Sequence, residues 1–374
     1  MAGAHSPCSR SGHDHGTADE QKRSNQERIG TRQMTRIPDE DILNKAPEDR
    51  DREGGAEQTE QSAGNNSTDS REASDAASGP ECPIYEYIKK HTKDGHLPED
   101  FRIPWIQSMW APGAQDGVAL YHMAPLQPDA VREQKILEAL KLMSAEENAQ
   151  YTETIFGIFV EMEKQTSIVK LYDEIVLTII RHQAELNPMK LLNYGDWLIC
   201  QGISLLAVKL GLTILSPFNV PFVEEVMTEF GVYDEFTYYA ARVLSQGHWQ
   251  NGNVKLFHLA KNVRGWGRIH AVEFLEPDTE EIRDWLLYDG ADNDVLGQYS
   301  ADICLQKAGA EGRLDGKLSA AEYEAIGKLI RTALEPGPCP GVTDVEILPK
   351  LLVKGKEFPV DLELRQLIFD NLGN

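Results

Sequence analysis

The chain is 374 residues long and carries 37 Lys and Arg against 60 Asp and Glu, a formal charge of −23. A field of that sign repels phosphate backbones and anionic lipid, so nucleic acid and membrane surfaces are not expected partners. All of its 11 Phe, 12 Tyr and 6 Trp lie beyond residue 82. Residues 1–82 therefore cannot bury enough apolar surface to offset their ordering entropy, and they are expected to form a disordered acidic low-complexity tail. Residues 83–374 are expected to form the folded domain.

In chain order, Ile84–His91 reads as a short helix before Gly95. Leu97–Tyr121, rich in Pro and Trp, reads as a packed irregular segment. Asp129–Met143 carries Ile136, Leu137, Leu140 and Met143 at helical spacing. Ser144 and Glu147 form a candidate capping box that starts a helix reaching Glu163. Thr166–Leu186 follows and stops at Pro188. Leu191–Leu210, Phe222–Phe230 and Asp234–Gln246 continue the helical series.

Between Asp196 and Glu224 the one charge is Lys209. A spanning helix needs about 20 uninterrupted apolar residues. Lys209, Gly202, Gly211, Pro217 and Pro221 interrupt this run, so a buried core helix is expected and a membrane span is not.

The stretch after Asn251 is the most regular. Asn253 can cap Val254–Asn262, Gly265 and Gly267 bracket a bend, and Arg268–Leu275 is helical again. Pro277 and Asp278 separate it from Thr279–Tyr288, and Asn293 opens Asp294–Ala308. Ser319 and Glu322 form a second capping box, for a helix to Leu334. Val342–Leu352 is the best strand candidate, and Asp361–Asn371 is a last helix. The fold class expected is all-α, with about ten to twelve helices of ordinary length. Helix pairs recurring at roughly 30–40 residues suggest HEAT/ARM-like stacking, an α-solenoid, with an irregular helical bundle as the alternative.

Few letters carry chemistry. Gly265-Trp-Gly267-Arg-Ile-His270 begins like a dinucleotide fingerprint, but a helix precedes it and His270 stands where a third small residue is needed. Glu311–Glu322 resembles half of a calcium loop, yet Arg313 would occupy a carboxylate position. No Glu-x-x-His pair for a di-iron bundle is present, and no metal site is assigned; a mononuclear site of two His and one carboxylate stays open. Cys8, Cys82, Cys200, Cys304 and Cys339 are scattered, without metal spacing. With no apolar leader segment, the expected compartment is the reducing cytoplasm.

The candidate binding residues are Arg264, Trp266, Arg268, His270 and Glu273, clustered at the glycine bend. On the concave side of a repeat, Trp266 would anchor a partner and Arg268 would clamp a carboxylate. Alternatively, Trp266 packs between layers and Arg268 pairs with an acid such as Glu273. The aromatic group Phe230, Tyr233, Phe236, Tyr238 and Tyr239 is expected to be core.

The run Gly265-Trp-Gly-Arg-Ile-His-Ala-Val-Glu-Phe-Leu, with Glu281-Ile-Arg-Asp-Trp-Leu-Leu and Tyr299-Ser-Ala-Asp-Ile-Cys304, resembles a bacterial limonene hydroxylase family. The resemblance spans roughly Pro83 to the C-terminus. It implies oxidation of limonene at allylic carbons to carveol and perillyl alcohol. It also implies NAD-linked dehydrogenation of those alcohols, with an oxygen-activating cofactor of unknown kind. An apolar terpene would enter between helices, with the uncharged Trp197–Val223 region as its wall. The second reading, from the residues alone, is a non-enzymatic helical-repeat scaffold that binds a protein or peptide near Trp266.

Overall fold

The computed structural model describes residues 82–339, 341–359 and 361–372. The expected tail therefore lies outside the described residues except for Cys82, whose side chain packs against the core. Among the described residues the protein is helical and contains no β-strand; an isolated bridge joins Lys93 and His96. The helices are α1 (Ile84–His91), α2 (Ala114–His122), α3 (Ala130–Met143), α4 (Thr152–Glu163), α5 (Ile168–Arg181) and α6 (Pro188–Gln201). They continue with α7 (Leu205–Leu215), α8 (Pro221–Phe230), α9 (Thr237–Leu244), α10 (Gly252–Asn262), α11 (Gly265–Phe274) and α12 (Glu280–Tyr288). The series ends with α13 (Gln298–Lys307), α14 (Ala310–Asp315), α15 (Ala320–Leu334), α16 (Ile347–Lys354) and α17 (Leu362–Leu372). None is long and apolar enough to cross a membrane.

One continuous core runs from Ile84 to Ile368. α6 and α7 form its tightest hairpin. Asn187 caps α6, with Pro188 at the first helical position, where a missing N–H costs nothing. Ser204 caps α7 by accepting the Ala207 N–H at 3.3 Å. Where the pair crosses there is no room for a side chain: a Cβ on Gly211 would stand 2.8 Å from Ile199 and 2.9 Å from Leu198. Every residue of α7 from Leu206 to Leu215 is buried, Lys209 included, so this helix is covered on all sides. It touches α5, α6 and α9; α9 in turn packs on α8, α10 and α11. From there contacts pass from α11 to α13, from α13 to α15 and from α15 to α17. At the other end, α1 lies on α6 and α8, and α2 on α5.

Several boundaries differ from the sequence reading. The Ser144–Glu147 capping box does not form. Ser144 instead finishes α3, giving its N–H to Leu140 and its hydroxyl to the Lys141 carbonyl at 3.1 Å. A 3₁₀ turn at Asn148–Tyr151 intervenes, and buried Asn148 donates to the Met143 carbonyl at 2.8 Å. The Ser319–Glu322 box does form and starts α15. The expected helix Leu191–Leu210 is two helices, broken at Gly202, where a Cβ would stand 2.4 Å from the Leu198 carbonyl oxygen. The best strand candidate, Val342–Leu352, is not a strand; that region carries α16. Asn253 does not cap α10; it ties that helix to the next turn through Glu276 N and O at 2.9 Å each.

Candidate functional site

The site forms around the short connection from α8 to α9, where Asp234 and Glu235 follow the buried ring of Tyr233. The two carboxylates face different surroundings. Asp234 lies against the start of α11 and accepts the backbone N–H groups of Arg264 and Gly267. A helix start presents unsatisfied N–H groups and a partial positive charge, so it favours an anion. That anion is supplied here by the chain itself.

The glycines expected to bracket a bend are instead the first turn of α11, and this glycine turn is shaped around the carboxylate. Gly265 has φ +52, and a Cβ there would stand 2.4 Å from Asp234 Oδ2; one on Gly267 would stand 2.6 Å from Oδ1 and 2.7 Å from Thr237 Oγ1. Both glycines are therefore required by close approach, and Gly265 also by its left-handed backbone. Burial pushes the Asp234 carboxyl up to about 7, against the two backbone hydrogen bonds, which pull it down.

Glu235 turns inward. Its Oε1 lies 2.5 Å from Lys209 Nζ, and its Oε2 accepts the Gly113 N–H at 2.6 Å. Lys209 also pairs with Asp116 Oδ2 at 2.8 Å. Asp116 accepts further hydrogen bonds from Ser167 Oγ at 3.0 Å and Tyr239 OH at 3.4 Å. Burial opposes the ammonium charge, but the two carboxylates outweigh it and hold Lys209 above the ordinary lysine range. Glu163 of α4 borders the same cluster, and burial raises its carboxyl. This network fastens α2, α7 and the Asp234 connection to one another, which fixes Asp234 over the glycine bend.

On the outer side of Asp234 is a cleft of ≈ 550 Å³. Its walls are residues 96–99, Phe101, Arg102, Ala111, Pro112, 232–234, 262–266, Asp294 and Val295. Arg264 spans the rim, 3.5 Å from Glu99 and 3.3 Å from Asp294. Arg102 donates to the Phe101 carbonyl at 2.8 Å. Comparison of the chain with protein-family models, curated proteins and solved structures finds no match.

The residues singled out in the sequence separate. Arg264 and Trp266 adjoin the cleft. The Trp266 side chain is nonetheless buried, 6 % exposed, with its ring against Gly117 of α2 and 4.9 Å from the ring of Tyr299. Arg268 holds main-chain carbonyls: those of Ala260, Val263 and Lys261 at the end of α10, at 3.0–3.1 Å, and that of Asp292 at 2.6 Å. It thus satisfies orphan carbonyls of a helix end instead of clamping a carboxylate or pairing with Glu273. Glu273 accepts from Tyr121 OH at 2.6 Å. His270 is buried, stacked on Tyr121 at 5.9 Å and edge-on to Tyr238 at 5.3 Å, with neither ring nitrogen hydrogen-bonded. Burial drives its imidazole down to about 3, and the Lys209 charge acts in the same direction.

Two readings of the sequence meet this geometry. At the start of α11 the N–H groups of Arg264 and Gly267, for which a dinucleotide pyrophosphate would compete, go to Asp234. Within the Trp197–Val223 region expected to wall a terpene, α6 and α7 approach each other closely at Gly195 and Gly211. Among the described residues no group of three or more His, Cys, Asp and Glu stands in a metal-holding arrangement.

The sequence placed Lys209 in a buried core helix without naming its partners, and it marked none of Asp116, Asp234, Glu235 and Arg102 as site residues. A signal for all but Arg102 existed. A lone Lys in a long apolar run must be paired once buried, and an Asp-Glu pair inside an aromatic stretch is a matching source of negative charge.

Proposed function

We propose that this protein is a non-catalytic helical scaffold of the cytoplasm. Its helices stack in pairs, and it binds a segment of a partner protein in the cleft beside Asp234. The observation that carries this reading is the cleft itself, which sets charged side chains of both signs on a floor fixed by the Lys209 network. The neighbouring glycine bend, the one part of the sequence that begins like a nucleotide cradle, is filled from within. The direct test compares the full chain with Ala111→Phe, a change on the exposed cleft wall. A partner captured by the wild type should be lost with the blocked variant; equal capture by both places binding elsewhere.

A second reading is kept because the run that resembles limonene hydroxylases includes Gly265 and Trp266, which border the same cleft. In that reading the protein oxidises limonene to carveol and perillyl alcohol and dehydrogenates the alcohols with NAD held away from the glycine bend. Limonene-dependent O₂ uptake and carveol-dependent reduction of NAD⁺ to NADH by the purified full chain, with its metal and flavin content, test it. Turnover abolished by Ala111→Phe would favour this reading over the scaffold.

A further inference from the structure

We propose that the feature read by the cleft is a basic side chain, a lysine or arginine of the partner segment, inserted so that its cationic head meets Asp234. This rests on the scaffold reading and names the chemistry of its partner.

The charges decide the sign. Arg264 is already shared between Glu99 and Asp294 on the rim. Asp234 receives the backbone N–H groups of Arg264 and Gly267, and an ionised carboxylate offers about four acceptor positions. It also keeps part of its surface open on the cleft wall. Arg102 and Arg264 face it from the cleft and Glu235 from its own connection; His96, Glu99 and Asp294 complete the charged lining. With Asp234 ionised, Glu99, Asp234 and Asp294 outnumber Arg102 and Arg264. The whole chain, at −23, adds a field that attracts cations and repels anions. Phe101 and Tyr233 supply aromatic wall for the alkyl stem.

Binding carries a proton signature. The Asp234 carboxyl titrates at about 7. A lysine or arginine head stays charged throughout that range. Near neutrality, protonated Asp234 must release its proton to meet the cation, so the complex forms with loss of H⁺ to buffer.

The experiment is calorimetric titration of the full chain with Nα-acetyl-lysine-N-methylamide, with the norleucine analogue as the uncharged control. The lysine probe should bind, and the norleucine probe should not. Affinity should be about tenfold tighter at pH 8 than at pH 6, the ratio of ionised carboxyl for a group titrating near 7. The heat at pH 7 should change with the ionisation enthalpy of the buffer. Asp234→Asn should abolish both binding and the buffer effect, whereas His96→Gln, which removes the imidazole of the wall, should keep the pH dependence. If Asp234→Asn does not fold, Ala111→Phe takes its place and should abolish binding. Equal binding of the two probes, no saturable heat with the lysine probe, or binding unchanged by pH overturns the proposal. Should the lysine probe fail while partner capture remains sensitive to Ala111→Phe, the scaffold reading stands and this inference alone falls.

Discussion

Lys209 Nζ lies 2.8 Å from Asp116 Oδ2, and neither side chain is more than 5 % exposed. With Glu235 on its other side, this lysine holds together three parts of the chain that are distant in sequence. Lys209→Met would leave two carboxylates buried without their cation, which costs about 3–5 kcal/mol by analogy with other broken buried pairs. Urea denaturation of the variant should show a loss of that size. The triple change Lys209→Met, Asp116→Asn and Glu235→Gln should recover a substantial part of it, because no unpaired charge remains. A loss below about 1 kcal/mol for the single change would mean that the cluster is hydrated and open.

Asp234 and His270 pull the pH dependence of stability in opposite directions. The folded state holds the Asp234 proton up to about 7, well above an unfolded aspartate at about 3.9. Between those values the native state binds more protons, so stability falls as pH rises toward 7. Asp234→Asn should remove that fall. The folded state holds His270 neutral down to about 3, below an unfolded histidine at about 6.5. Here the unfolded state binds more protons, and stability falls as pH drops from 6.5 toward 3. His270→Phe should remove that acid-side loss while filling the same aromatic box. Denaturation midpoints of the two variants between pH 4 and 8 check both signs.

Gly117 lies beneath the Trp266 ring, where a Cβ would stand 2.0 Å from Cε3. Gly117→Ala should therefore displace the ring and cost about 1–3 kcal/mol, despite the better helix propensity of alanine. A shift in tryptophan fluorescence accompanied by a lower melting temperature is the expected outcome. A stabilised variant would show that α2 and α11 stand further apart.

Arg268 uses a planar fork to hold four carbonyls, a task that an ammonium group cannot match. Arg268→Lys should destabilise by about 1–3 kcal/mol. Amide hydrogen exchange should quicken at the end of α10 and in the Asp292 turn, without a change elsewhere.

Helix identity was legible where local signals were strong. Ile84–His91 has the bounds expected, and Ser319 with Glu322 starts α15 as the capping pattern requires. Signals failed where packing overrode them. Ser144 and Glu147 have the right letters, but Asn148 finds a better buried partner in the Met143 carbonyl and pulls the chain into a 3₁₀ turn. Val342–Leu352 has β-branched residues at its start, yet Ile347, Leu348 and Leu351 fall on one buried helical face. The site was legible only at its edge. Arg264 and Trp266 were picked out through the glycines beside them, whereas the reason for those glycines, Asp234, lies on a different helix connection. Periodicity within one segment carries no information about such a cross-chain contact.

Asp234 caps the turn at Gly265–Gly267, and the neighbouring cleft is proposed to receive a cation. Amide ¹H–¹⁵N shifts of Gly265, Trp266 and Gly267 test this most directly, followed while Nα-acetyl-lysine-N-methylamide and, separately, NAD⁺ are added to the full chain. The lysine probe is predicted to move these signals saturably, and NAD⁺ to leave them in place. Saturable movement with NAD⁺ and none with lysine would contradict the account.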